Sequence, residues 1–171
     1  MFFTVRSLEH HRITFTVGGE IRMVQHRVGY APGVYDLFHV GHLNILRHAR
    51  SQCDYLVAGV VSDEMAALAK GHTPMIPLRE RLEIVRSVRF VDAAFVETVP
   101  DKVETWQQVR FDVIFKGDDW RGTEKGLKLE RDFAEVGVEV VYFPYTVHTS
   151  STQLRRALDV LVNRPGALSA P

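Results

Sequence analysis

Along the chain, short runs in which nearly every position is apolar alternate with longer stretches in which apolar residues recur every three or four positions. The runs at 28–31, 55–61, 93–96, 113–115 and 138–143 predict strands buried on both faces. Helical spacing fills 41–50, 78–88, 103–109 and 126–136, and a last helix runs from 151 to about 161. Within 78–88, Leu78, Leu82 and Val85 share one face, widened by Ile84 and Val88, while Arg79, Arg81, Glu83 and Arg86 point elsewhere. Such strands, separated by helices, predict an α/β fold built on one doubly wound parallel sheet with right-handed crossovers and helices on both faces. Sheets of this kind bind ligands beyond the carboxyl ends of their strands.

The first stretch breaks this rhythm. Residues 13–17 and 20–24 are β-prone runs separated by Gly18-Gly19, a pair suited to a tight hairpin turn. Residues 1–24 therefore read as an N-terminal extension, 25–162 as the functional domain, and 163–171 as a frayed, flexible tail. Lysine plus arginine and aspartate plus glutamate number 21 each, so no overall positive field exists to hold a nucleic acid or an anionic membrane. Any anion must be bound by local geometry. A single cysteine, Cys53, excludes an internal disulfide and a cysteine-based zinc site. No apolar run reaches the roughly 18 residues of a membrane span, and the expected location is the cytoplasm.

The chemistry concentrates after the first strand of the repeating part, in Gly33-Val34-Tyr35-Asp36-Leu37-Phe38-His39-Val40-Gly41-His42, which enters a helix at about Gly41. Glycines at 33 and 41 allow close approach of backbone to a ligand, and a helix start favours an anion. His39 and His42 are three apart and can donate to the same phosphate. Two other readings of the pair stand beside this one: ordinary histidines at a turn, or metal ligands. Asp36 is the only close carboxylate, which leaves a zinc site short of ligands. The Gly-x-Tyr-Asp prefix favours the phosphate reading.

From about Val28 to Leu158 the sequence resembles the cytidylyltransferase family of nucleotidyltransferases, above all its glycerol-3-phosphate branch. The anchors are the stretch 33–42, then Arg89-Phe90-Val91-Asp92, then Lys116-Gly117-Asp118-Asp119-Trp120, then Ser150-Ser151-Thr152, in the family's order and spacing. The resemblance implies a Rossmann-like domain of the His-x-Gly-His type that joins a phosphomonoester to CTP and releases pyrophosphate, with glycerol 3-phosphate the favoured acceptor. It implies catalytic roles for His39, His42, Arg89 and Lys70, the last on a loop beside the site. Gly33, Tyr35, Asp36, Gly41, Gly117, Asp118, Asp119, Trp120, Ser150, Ser151 and Thr152 match nucleotide-binding positions, with Trp120 placed to stack on a base. Acceptor binding falls to Asp63, His72, Arg81, Asp92, Tyr145 and His148. Arg81 and Arg89 are expected to reach one pocket, and Asp92 to orient Arg89 or contact substrate. Ser150 and Gln153 also spell a capping box. Mg²⁺ is expected to arrive with the nucleotide rather than on protein ligands, and a homodimer is implied.

One departure stands out. The family's Arg-Thr-x-Gly before the serine turn is replaced by Tyr145-Thr146-Val147-His148, and a tyrosine lacks the bidentate donors of a guanidinium. His148 and His72 are the candidates to supply the missing donor. Three alternatives stay open from the sequence: adenylyl transfer to a sugar phosphate or related phosphomonoester, a phosphonate acceptor, and a nucleotide-binding sensor without turnover.

Overall fold

Strands that are apolar on both faces must be covered twice, and the computed structural model, which describes residues 12–17, 20–144 and 149–162, shows how. β1 (Arg12–Val17) and β2 (Glu20–Gln25) form a separate antiparallel ribbon, with Arg12 opposite Gln25 and Val17 opposite Glu20. Gly18-Gly19, the tail and residues 145–148 lie outside the described residues. The remaining strands are β3 (Val28–Gly33), β4 (Tyr55–Val61), β5 (Ala93–Glu97), β6 (Val113–Gly117) and β7 (Glu139–Phe143). They make one parallel sheet in the order β5-β4-β3-β6-β7.

The helices are α1 (Val40–Arg50), α2 (Asp63–Lys70), α3 (Leu78–Arg86), α4 (Lys102–Val109), α5 (Glu124–Ala134) and α6 (Ser151–Val162). Side chains alternate across the strands with the period of two that a pleated backbone imposes. Ala31, Ala58 and Val113 pack with Leu46 of α1 and Val85 of α3 on one face. Their neighbours Tyr30, Val57 and Ile114 pack with Val109 of α4 and Phe133 of α5 on the other. The fold is thus the Rossmann-like, doubly wound sheet expected. No helix among the described residues is long and apolar enough to cross a membrane.

Opposite edges of this sheet do different work. At the amino-terminal edge, carboxylates close the strand starts: Asp54 accepts the Arg27 N–H at 2.8 Å, Asp92 the Leu56 N–H at 2.7 Å, and Asp112 the Val28 N–H at 2.7 Å. The carboxyl edge opens instead. β3 pairs with β4 along its whole length, from Val28 opposite Tyr55 to Gly33 opposite Val60. With β6 it pairs only at Gly29/Val113 and Tyr30/Ile114. Beyond that point the two central strands separate, at the place where chain order reverses across the sheet.

Candidate active site

The turn that follows β3 is held in a conformation costly for ordinary residues. Tyr35 and Leu37 both have positive φ, 56° and 47°, and such strain persists only where neighbours over-determine it. Here they do. The Tyr35 hydroxyl donates to the Ala31 carbonyl at 2.8 Å, and its ring is buried. The Tyr35 side chain is therefore a core group that fixes the turn. Asp36 is also buried, and its carboxylate accepts the amides of Met75 (3.1 Å) and Ile76 (2.9 Å) and the Arg155 guanidinium (2.6 Å). Despite burial, which acts to raise it, those amide and guanidinium contacts hold the Asp36 carboxyl below its ordinary pKa.

His39 caps α1: in extended conformation, its Nδ1 accepts the Gly41 N–H at 3.0 Å. A neutral His39 then carries its proton on Nε2, which presents a donor. His42 stands one turn on, and the two rings are stacked with centroids 4.0 Å apart. Tyr35 and Phe38 wall His42 in at 5.3 and 5.4 Å, and its buried Nδ1 has no hydrogen-bond partner among the described residues. Burial, aided by the neighbouring His39 and Lys70, pushes the His42 pKa down to about 3, and burial lowers that of His39 as well. Both imidazoles are neutral donors near pH 7.

The start of α6 faces them. Ser150 and Gln153 form the expected reciprocal box, the Ser150 N–H donating to Gln153 Oε1 at 3.1 Å and the Gln153 N–H to Ser150 Oγ at 3.2 Å. Ser151 donates its hydroxyl to the Asp36 carbonyl at 2.7 Å, so Asp36 ties the His-x-x-His turn to this helix. Together these elements enclose a cleft of about 320 Å³ lined by His39, Gly41, His42, Lys70, Asp119 and Ser150 to Thr152. A second cleft of about 810 Å³ opens beside it, lined by Gly33, Lys116, Trp120 and apolar residues of α2 and α5. Lys70 and Gly117 line both clefts. At Gly117 the fit is close, since a Cβ there would lie 2.4 Å from Asp119 Oδ1.

Several sequence-stated positions land elsewhere. Lys70 ends helix α2 rather than sitting on a loop, and Gly71 stops that helix with φ 74°. Arg81 is fully buried and donates to the carbonyls of Ile76, Val34 and Val61 and, at 2.5 Å, to Asp63. Asp63 also accepts the Leu78 N–H at 3.2 Å, so this pair staples α2 and α3 to the sheet instead of meeting an acceptor. Helix α3 ends at Arg86, and Arg89 lies beyond it, exposed, with its guanidinium 4.9 Å from the Phe90 ring. Arg81 and Arg89 therefore share no pocket. Asp92 pairs with Arg50 at 3.5 Å on the opposite edge of the sheet, away from both clefts. Exposed His72 lines neither cleft, and its Nδ1 sits 3.3 Å from the Thr73 carbonyl. Asp118 opens a short 3₁₀ turn, Asp118–Trp120, and Trp120 faces the larger cleft rather than the smaller one. Tyr145 and His148 lie outside the described residues.

Residues 30–157 match the family described as Cytidylyltransferase-like. The chain belongs to the cytidylyltransferase-like family. It is a nucleotidyltransferase. Among its relatives is the glycerol-3-phosphate cytidylyltransferase of Bacillus subtilis, 32% identical over 74% of this chain and 92% of the relative. The FAD synthase of Thermococcus kodakarensis is 30% identical over 76% of this chain and 88% of its own. An ethanolamine-phosphate cytidylyltransferase of Arabidopsis thaliana shares 40% identity over 53% of this chain but only 22% of its own length. In structure, the lipopolysaccharide core biosynthesis protein from Thermoplasma volcanium superposes with a TM-score of 0.61 at 24% identity, over 72% of this chain and 99% of that one. That likeness concerns the fold.

The sequence assigns no role to two residues of this cytidylyltransferase-like site, and Lys116 figures there only within its anchor stretch. Lys116 is 8% exposed, with its Nζ 3.5 Å from the centroid of Trp120. Arg155 reaches Asp36, and its position one helical turn past Ser151 is the signal that places both on one face of α6.

Proposed function

We propose that this chain transfers CMP from CTP to a phosphomonoester and releases pyrophosphate. The observation that supports it is the meeting of two clefts at Lys70 and Gly117. One cleft carries the donors a triphosphate requires: the Nε2–H of His39, His42, Lys70 and the capped start of α6. The other offers room for an acceptor on the far side of the same lysine. An acceptor phosphate oxygen attacks the α-phosphorus, the bond from that phosphorus to the bridging oxygen breaks, and pyrophosphate leaves with the electron pair. The nucleophile is already an anion, so no proton needs removing. Catalysis then consists of positioning and of donors aimed at charge on the phosphorus and leaving group. Lys70 is a flexible point charge that can follow this charge as it migrates.

Among the described residues no group of three or more His, Cys, Asp or Glu is arranged to hold a metal. We expect a Mg²⁺ ion to arrive with the triphosphate, and Asp119 is the carboxylate that lines the nucleotide cleft. The ion would supply charge neutralisation of the phosphates. The proposal includes a cytoplasmic location and a homodimer, and light scattering tests the homodimer.

A second reading, adenylyl transfer, rests on the FAD synthase relative at 30% identity. Base choice decides between them. A coupled pyrophosphate-release assay with CTP or ATP and a panel of phosphomonoesters is expected to give turnover with CTP. Turnover with ATP alone moves the assignment to the adenylyl reading. Tight nucleotide binding without release for any acceptor makes the chain a sensor.

A further inference from the structure

Glycerol 3-phosphate leaves most of the larger cleft empty. At about 810 Å³ the cleft is at the upper end of what small-molecule sites occupy, and its walls are mainly apolar: Val61, Met65 and Leu68 on one side, Val99, Trp120 and Leu129 on the other. Polyol hydroxyls facing such walls would forfeit hydrogen bonds to water without replacement.

Charge in the cleft is sorted. Lys102 pairs with buried Glu97, which also accepts the Tyr30 hydroxyl at 2.8 Å, and Lys128 pairs with Asp132. Asp101 accepts the amides of Val103 and Glu104 at the start of α4. Lys116, Lys70 and the exposed Lys125 make no ion pair among the described residues, and of the three only Lys116 is almost buried. Burial lowers the Lys116 pKa to about 8, so it keeps its charge at neutral pH, supported by the field of Glu97 and Asp119 but bonded to neither. It immediately precedes Gly117, at the junction with the nucleotide cleft. A nearly buried cation that stacks on Trp120 and forms no direct ion pair among the described residues is completed by an anionic ligand.

We infer that the larger cleft takes a phosphomonoester acceptor with a bulky apolar body, its phosphate held between Lys116 and Lys70 and its body against Leu68, Trp120 and Leu129. This rests on the reading above that the smaller cleft holds the nucleotide. It narrows the acceptor class away from small polyol phosphates. Lys116 then serves as the specificity-determining cation of the acceptor side, while the His39 and His42 pair serves the nucleotide.

The test is calorimetric titration of methyl, propyl and hexyl phosphate into the full chain, with and without the α,β-methylene analogue of CTP. Each fully buried methylene tightens binding about fourfold, so hexyl phosphate is expected to bind at least tenfold tighter than methyl phosphate, and tighter than glycerol 3-phosphate. Lys116→Met should weaken all three by a similar factor, about tenfold or more. Leu68 is 78% exposed, so Leu68→Glu tests the wall without endangering the fold; it should abolish the gain with chain length and leave affinity for the CTP analogue unchanged. Equal affinity across the alkyl series, or a gain that survives Leu68→Glu, overturns the inference. Absence of binding by the CTP analogue itself contradicts the function proposed above instead, and the alkyl series on the free protein still reads the cleft.

Discussion

Arg155 of α6 donates to the carboxylate of Asp36 at 2.6 Å, across 119 positions of sequence. The contact locks the last helix to the turn that carries both histidines, and Asp36 in addition holds the Met75 and Ile76 amides. Removing the acid strands three donors, whereas removing the arginine strands one charge. Asp36→Ala is therefore expected to cost about 3 to 5 kcal/mol and Arg155→Ala about 1.5 to 3 kcal/mol. Urea unfolding of both singles and the double should give a coupling energy above about 1 kcal/mol. Additive losses would mean the pair does not act as a unit.

Arg81 carries a prediction opposite to its sequence-based assignment. It satisfies three backbone carbonyls and Asp63 from a fully buried position. Arg81→Met is expected to lower stability by about 3 to 5 kcal/mol. Enzyme that remains folded at low temperature should keep an unaltered KM for the acceptor. A raised acceptor KM with native stability would return Arg81 to the binding site.

His42 makes stability depend on pH with a defined sign. In the fold its pKa is about 3, against about 6.5 for an ordinary histidine. Below pH 6.5 the unfolded chain therefore binds a proton that the folded chain refuses, and stability falls as pH drops from about 6.5 toward 3. His39 adds in the same direction. Asp36 weakens the fold only as pH falls below about 4, because its pKa is lowered from 3.8. Between pH 6.5 and 4.5 the wild type should lose about 2 to 3 kcal/mol in urea unfolding, and His42→Gln should lose less. Parallel curves for the two proteins would remove the burial argument.

The two kinds of site residue also part in mutagenesis. Leu82 packs against the core beneath α3, and Leu82→Ala should reduce stability by about 2 to 5 kcal/mol with activity per folded molecule retained. His42→Ala should reduce turnover by about 100-fold or more. Native turnover in His42→Ala would strip the residue of its assigned role.

What was legible in the sequence follows a physical line. Strands such as β4, Tyr55–Val61, announce themselves because burial on both faces leaves an unbroken apolar run. The capping box at Ser150 and Gln153 is a local pattern whose geometry is made within four residues. Helix α2 went unread although Ser62 caps it, accepting the Met65 N–H at 3.2 Å, and Gly71 ends it. Its eight residues are too few to show a clear period beside the strand it follows. The polar residues Asp63, Arg81 and Asp92 were misplaced for another reason. Whether a charge faces ligand or staples backbone depends on partners 15 to 47 positions away, such as Leu78 and Val34, which no local pattern encodes.

The central claim is that CMP passes from CTP to a phosphomonoester at the junction marked by Lys70. Phosphorus NMR of the reaction mixture tests it most directly. The account predicts one equivalent of pyrophosphate for each new unsymmetrical diphosphate bridging cytidine and the acceptor, with both signals lost in His42→Ala. Pyrophosphate and no bridged product, or neither with any nucleoside triphosphate and acceptor, would contradict it.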